Sequence, residues 1–159
     1  MRMNPSRNTT RLVRDSCLCL HVQRAARTLA RRFDDAFRPL GLTNGQFSLM
    51  MALNGPKPAG MADVALLLAM NRTTLTAALK PLRSRHLVKV AADPADRRAR
   101  RMTLTPSGRR LLVRAVPVWK RTHEEIDAVL ADGDPDKLRT SLRTLVMEWP
   151  TGPTQNLRG

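Results

Sequence analysis

The sequence predicts a mainly α-helical fold carrying one small β-hairpin, and three observations predict it. Apolar residues recur every three or four positions across residues 17–40 and again from 106 to 149. Two short alternating runs, 87–90 and 101–104, flank a turn-rich basic loop. A length of 159 residues with 42% hydrophobic content favours one domain with a core of its own and excludes a disordered polyelectrolyte.

Each element carries its own signal. Residues 17–40 read as one long amphipathic helix with Leu18, Val22, Ala25, Leu29, Phe33, Ala36 and Leu40 on one stripe, while Arg24, Arg27, Arg31 and Arg32 mostly lie off it. Gly41 stops it, because glycine takes a left-handed cap without steric cost. Thr43 and Gln46 form a capping-box pattern that opens a short helix bearing Phe47, Met50, Met51 and Leu53. Asn54-Gly55-Pro56 closes that helix, and a loop leads to Gly60. Residues 61–68 read as a third helix, whose run from Val64 to Leu68 is apolar nearly all round and is expected to be buried.

Asn71 is a good N-cap for the next helix and places Arg72 in its first turn. On a helical wheel Ala78, Leu79 and Leu82 lie within about 60° of Leu75, forming an inward stripe. Thr73, Ala77, Lys80 and Ser84 fall within about 40° of the opposite direction, with Thr76 on the flank. Pro81 is expected to kink this helix at a cost of about 3 kcal/mol. After the hairpin, Thr105 and Pro106 start a long helix with Leu111, Leu112, Ala115, Val118, Trp119, Thr122, Ile126 and Val129 on its buried side, bent at Pro117. Asp134-Pro135 starts a last helix carrying Leu138, Leu142, Leu145 and Trp149, ended by Pro150.

The charge is uneven. The chain holds 28 Lys and Arg against 13 Asp and Glu, a net +15. Residues 72–114 alone carry +10, residues 1–14 carry +4, residues 15–71 carry +2 and residues 115–159 carry −1. So dense a cluster of like charge calls for an anionic partner, and nucleic-acid phosphate is the commonest one. The longest apolar run, residues 64–70, is far short of the roughly 20 residues needed to span a bilayer. Arg2, Arg7, Arg11 and Arg14 with no apolar segment argue against a secretory signal and for a basic arm. Two cysteines, Cys17 and Cys19, cannot build a disulfide framework and suit a reducing compartment such as the cytoplasm.

Two helices joined by a tight break, the second with a slim polar face, and then a basic hairpin make a winged helix-turn-helix. A helix enters the DNA major groove only if its outer face is slim. Thr73, Thr74, Thr76 and Ala77 can then touch a thymine methyl while Lys80 and Arg83 reach guanine or phosphate. Three threonines so early in a helix are poor for helix propensity, which favours a functional reason for them. Arg72 in the first turn is placed for phosphate, and the hairpin tip would carry Arg97, Arg98 or Arg100 into the adjacent minor groove.

The order of the long helix, Leu40-Gly41-Leu42-Thr43 with Gln46-Phe47, Asn71-Arg72-Thr73-Thr74-Leu75-Thr76, Asp93-Pro94-Ala95-Asp96-Arg97-Arg98 and Leu104-Thr105-Pro106-Ser107-Gly108 resembles the MarR family of bacterial transcription regulators, over about residues 17 to 149. Val64-Ala65 stands where the family usually has Leu-Ala, and Met70 where Gly is common. The resemblance implies a homodimer built from N- and C-terminal helices, a pseudo-palindromic operator, and release by a small ligand or by oxidation. It implies that Asp96 braces the wing and that Arg98 enters the minor groove. It divides the chain into a flexible basic arm (1–16), a helical dimerisation region (17–42 and 106–149), the DNA-binding domain (43–105) and a loose tail (150–159).

The same resemblance places an effector pocket near Cys19, Phe47, Met51 and Trp119, where an aromatic or anionic ligand would fit. In the peroxide-sensing branch of the family a reactive cysteine sits where Cys19 stands, making a thiol-based repressor the alternative reading. Phe33 and Asn44 occupy the positions where that branch places phenols, and Cys17 lies about 200° around a helix from Cys19, too far to bridge. A non-specific architectural nucleic-acid-binding protein is a further alternative. Enzymatic readings find no support: His21, His86 and His123 are isolated, His123-Glu124-Glu125 lacks a second ligand four residues on, and no cluster has metal-ligand spacing. No cofactor and no metal are expected.

Overall fold

A computed structural model of the chain describes residues 5–148. It is mainly helical with one small antiparallel sheet, the predicted class. The elements are α1 (Arg7–Ser16), α2 (Leu18–Phe37), a 3₁₀ turn (Arg38–Leu40), α3 (Asn44–Ala52), β1 (Ala59–Gly60), α4 (Met61–Leu67), α5 (Arg72–Ser84), β2 (Val88–Ala92), β3 (Arg100–Leu104), α6 (Pro106–Val129) and α7 (Pro135–Glu148). The strands lie in the order β1-β3-β2. The core runs through Phe33, Phe37, Phe47, Leu49, Met50, Leu75, Leu82, Met102 and Leu112, so that α2, α3, α5, β3 and α6 share it.

Most helix boundaries follow local chemistry. Thr43 and Gln46 make the capping box in both directions, Asn71 accepts the Thr74 N–H, and Thr105 accepts the Gly108 N–H. Gly41 takes the left-handed conformation at φ 64°, and the Arg85 guanidinium donates to its carbonyl at 2.6 Å, tying the end of α2 to the end of α5. The helices α5 and α6 continue past Pro81 and Pro117.

Five sequence readings need correction. Residues 7–16 are not a flexible arm but a helix, started by the Ser6 hydroxyl accepting the Thr9 N–H. Cys17 is not within the long helix: it sits in extended backbone at φ −73°, ψ 103°, between α1 and α2, so the helical-wheel separation from Cys19 does not apply to it. The long helix ends at Phe37, where a 3₁₀ turn through Pro39 takes over. Ala59 and Gly60 are not loop but a third strand, paired with Met102 and Arg101; a two-residue strand has no periodicity to read. The apolar run in α4 is buried only at Val64, with Leu66 74% and Leu67 69% exposed. A helix of seven residues packs one face only, and the run is longer than that face. Trp149, Pro150 and the expected tail lie outside the described residues.

The wing, the recognition-type helix α5 and the scaffold helix α6 meet at Leu87. Its N–H donates to the Leu82 carbonyl of α5 at 2.9 Å. The Thr105 hydroxyl donates to the His86 carbonyl at 2.7 Å, and the Thr105 N–H donates to the Leu87 carbonyl at 3.0 Å. A Cβ added to Gly108 would fall 2.2 Å from that same oxygen. Glycine is therefore required by close approach. Gly108→Ala is expected to force α6 away from β2 and to lower stability by about 2 kcal/mol or more, as overpacking against rigid backbone does; a shift of the denaturant midpoint in urea unfolding measures it.

Candidate nucleic-acid interface

The outer face of α5 is built by its inner one. Leu75, Leu79 and Leu82 are buried and fix the helix rotation, which leaves Arg72, Thr73, Thr74, Thr76, Ala77, Lys80 and Arg83 exposed. Six of these, all but Thr74, line one continuous shallow groove. A second groove, between α5 and the hairpin, is lined by Arg72, Thr76, Arg83 and Arg100 together with Met61, Leu79 and Val90. Arg72 and Arg83 thus belong to both, and the helix and the wing share a cationic border. Thr76 Oγ1 donates to the Arg72 carbonyl at 2.8 Å. Its proton is spent inside the helix, so toward a base edge Thr76 offers a methyl group and an acceptor oxygen.

The hairpin pairs Val88 with Leu104 through to Ala92 with Arg100, and its tip is held by two aspartates. The Asp96 carboxylate accepts the Arg98 N–H at 2.9 Å, and its carbonyl accepts the Ala99 N–H at 2.9 Å. This is the turn that an Asp side chain makes with the backbone two residues on. Arg97, Arg98 and Arg100 stand exposed around it. Asp93 was not singled out by the sequence as a brace. It is buried, accepts the Ala95 N–H at 2.9 Å, and pairs with Arg101 Nε at 2.5 Å. The Ala95 N–H first, and then the Arg101 guanidinium, hold its carboxyl below the usual carboxylate range. Arg101 is consequently turned from a free cation into a clamp across the hairpin. The signal in the sequence was the spacing of Asp93 and Arg101, which face each other only once the hairpin register is known.

The residues read as an effector pocket come together in part. Phe47 and Trp119 stack with ring centroids 6.5 Å apart, inside a run that continues to Phe37 at 4.7 Å on one side and to His123 at 4.7 Å on the other. Phe47 is buried, whereas Met51 is exposed. Cys19 is exposed too, and its sulfur accepts from Gln23 at 3.1 Å. Of the arginines on α2, Arg32 pairs with Glu125 of α6. Among the described residues no group of three His, Cys, Asp or Glu could hold a metal ion, and no helix is long and apolar enough to cross a membrane.

Comparison with known proteins places this arrangement. A family profile described as "Winged helix DNA-binding domain" matches residues 42–108, which span α3 to the start of α6. The chain is 37% identical to the transcriptional regulator MosR of M. tuberculosis, solved in complex with DNA, covering 84% of this chain and 96% of that one with a TM-score of 0.76. The chain belongs to the MarR family of winged-helix transcriptional regulators. Among curated relatives it is 32% identical over 83 residues to the HTH-type transcriptional repressor NicR of Pseudomonas putida. It is 37% identical over 86 residues to the transcriptional regulator HosA of Escherichia coli O111:H-. It spans 52% and 62% of the length of these two.

The Asp93 clamp has a pH signature of definite sign. A carboxyl with a folded value below its unfolded one stabilises fully above the unfolded value, about pH 4, and loses that contribution as pH falls through the folded value. Asp93→Asn is therefore expected to flatten the acid limb of the stability profile below about pH 4, and to speed amide exchange at the hairpin tip at neutral pH; hydrogen exchange resolved by residue checks both.

Proposed function

We propose that the protein is a homodimeric repressor that holds a pseudo-palindromic DNA operator and releases it when a small ligand binds. The single observation that carries the DNA part is the shared cationic border. Arg72 and Arg83 line both the outer groove of α5 and the groove between α5 and the wing, where Arg100 joins them. In this reading α5 enters the major groove. Thr73, Thr76 and Ala77 contact thymine methyls there, Lys80 and Arg83 take guanine or phosphate, and Thr74 and Arg72 meet the backbone. Arg98, held by Asp96, reaches the neighbouring minor groove with Arg97 and Arg100 beside it. The MosR complex with DNA and the designation of NicR as a repressor support the assignment.

The dimer part rests on apolar surface. Leu18, Val22 and Leu29 of α2 and Leu138, Leu142, Val146 and Met147 of α7 are exposed in the single chain. Residues at such spacing are an amphipathic stripe with nothing to cover it, and a second copy supplies the cover. The ligand part places an aromatic or anionic effector near Phe47 and Trp119, where the helical scaffold meets the winged domain, with Cys19 and Met51 at the margin.

Selection of genomic fragments by the purified protein tests the reading, and a single enriched palindrome is the expected outcome. Arg98→Ala is expected to weaken operator binding by about tenfold or more while leaving unfolding unchanged, since the arginine contacts no part of the core; fluorescence anisotropy against the enriched duplex measures it. Leu142→Asp is expected to shift sedimentation from dimer to monomer and to abolish two-fold operator binding with it.

A further inference from the structure

Beyond the helix and the wing tip lies a third basic groove. It is bounded by Lys80 and Arg83 on α5 and by Lys89 on β2, with His86 at the corner between them and Val88 and Val90 on its floor. Neither Lys89 nor His86 belongs to the recognition face or to the hairpin tip. The groove shares Lys80 and Arg83 with the outer face of α5, so the cationic border continues around the helix C-terminus instead of ending there.

The backbone of β2 adds a donor to the cations. β2 is an edge strand, since the sheet order is β1-β3-β2. Leu87 accepts from Thr105 before the strand, and Asp93 donates to Ala99 after it. In an antiparallel ladder bonded positions alternate. The bonded residues of β2 are thus the odd-numbered ones, and the N–H groups of Val88 and Val90 turn away from β3; Val88 is buried, which leaves the half-buried Val90 to offer its N–H at the free edge. No acidic residue lines the groove. Three cationic residues around one groove, with the outward N–H of Val90 beside them, are the chemistry of a polyanion track.

We infer that this groove binds the DNA phosphate backbone outside the half-site read by α5, with Lys89 as its outer anchor and the edge N–H of Val90 beside it. The inference rests on the DNA-binding reading above and extends its footprint. Continuity with the α5 face favours DNA over an acidic peptide adding as a strand to the same edge. Phosphate contacts are what fix the register of a helix on the duplex.

The test is the salt dependence of binding to the enriched operator. A lysine on phosphate contributes about 0.9 to the slope of log K against log salt. Lys89→Ala is expected to lower the slope by about that amount, so that over a fourfold rise in salt the parent loses about 3.5-fold more affinity than the variant. The ranking of operator point mutants stays unchanged, and Lys89→Arg restores the slope. A methylphosphonate at one flanking phosphate is expected to erase the difference between parent and Lys89→Ala, which a fold defect would not do. An unchanged slope in Lys89→Ala overturns the inference, and is the result if an acidic peptide is the occupant. Absence of any DNA binding by the parent overturns the DNA reading itself.

Discussion

The rest of the structure depends on the contact between the Leu87 carbonyl and the first turn of α6. That oxygen accepts the Thr105 N–H while the Thr105 hydroxyl straps the neighbouring His86 carbonyl, and Gly108 closes on it nearer than any Cβ allows. Leu87 in turn donates to the Leu82 carbonyl, and His86 donates to Arg83 in a left-handed turn at φ 54°. The end of α5, the start of β2, the end of β3 and the start of α6 are therefore one hydrogen-bonded joint. A winged domain is useful only if the helix and the hairpin approach DNA at a fixed angle. The Leu-Thr-x-x-Gly string is the local chemistry that fixes it: threonine as cap and strap, glycine for clearance.

Electrostatics is organised around the same joint. The block of residues 72–114 carries +10, and the fold employs only some of that charge. Arg101 is committed to Asp93 and Arg85 to the Gly41 carbonyl. Arg72, Lys80, Arg83, Lys89, Arg97, Arg98 and Arg100 remain exposed along the grooves and the tip. Exposed like charges within a Debye length repel one another and destabilise the free protein. Their relief on meeting a polyanion is a driving force that apolar packing in this small domain does not supply. The two acidic residues of the block, Asp93 and Asp96, both shape the loop that presents the arginines.

How much of this was legible in the sequence varies with the range of the interaction. Local chemistry read well: Thr43, Asn71 and Thr105 as caps, Gly41 as a stop, and the inward stripe of α5 all depend on neighbours within four residues. The helix of residues 7–16 did not, because a sequence rich in arginine and threonine has no strong apolar stripe and its start depends on one serine cap. β1 was invisible, being defined by its partner strand and not by itself. Leu66 and Leu67 misled because hydrophobicity was taken as burial, and a two-turn helix cannot hide both sides. In the candidate site the side chains of α5 and the tip followed from helical and hairpin periodicity. Asp93 as a clamp and Lys89 as part of a groove did not, because each needs the register of β2 on β3.

The two halves of the molecule are joined by aromatic packing, and this bears on how a regulator of this shape would respond. Phe47 of α3 stacks on Phe37 of α2 and on Trp119 of α6, and Trp119 stacks on His123. His123 meets Arg139 of α7 at 3.3 Å through Nε2. The helix that carries Phe47 packs in turn against α5 through the shared core. One continuous line of packed contacts therefore runs from α7 through α6 and α3 to α5, and close-packed interiors shift between discrete arrangements and do not deform smoothly. In the proposed dimer two α5 helices must stand about one turn of DNA apart, roughly 34 Å. In the proposed repressor, a ligand at the aromatic run would release the operator only by favouring an arrangement in which that separation is wrong, so the reading requires the packing around Phe47 and Trp119 to differ between the two states.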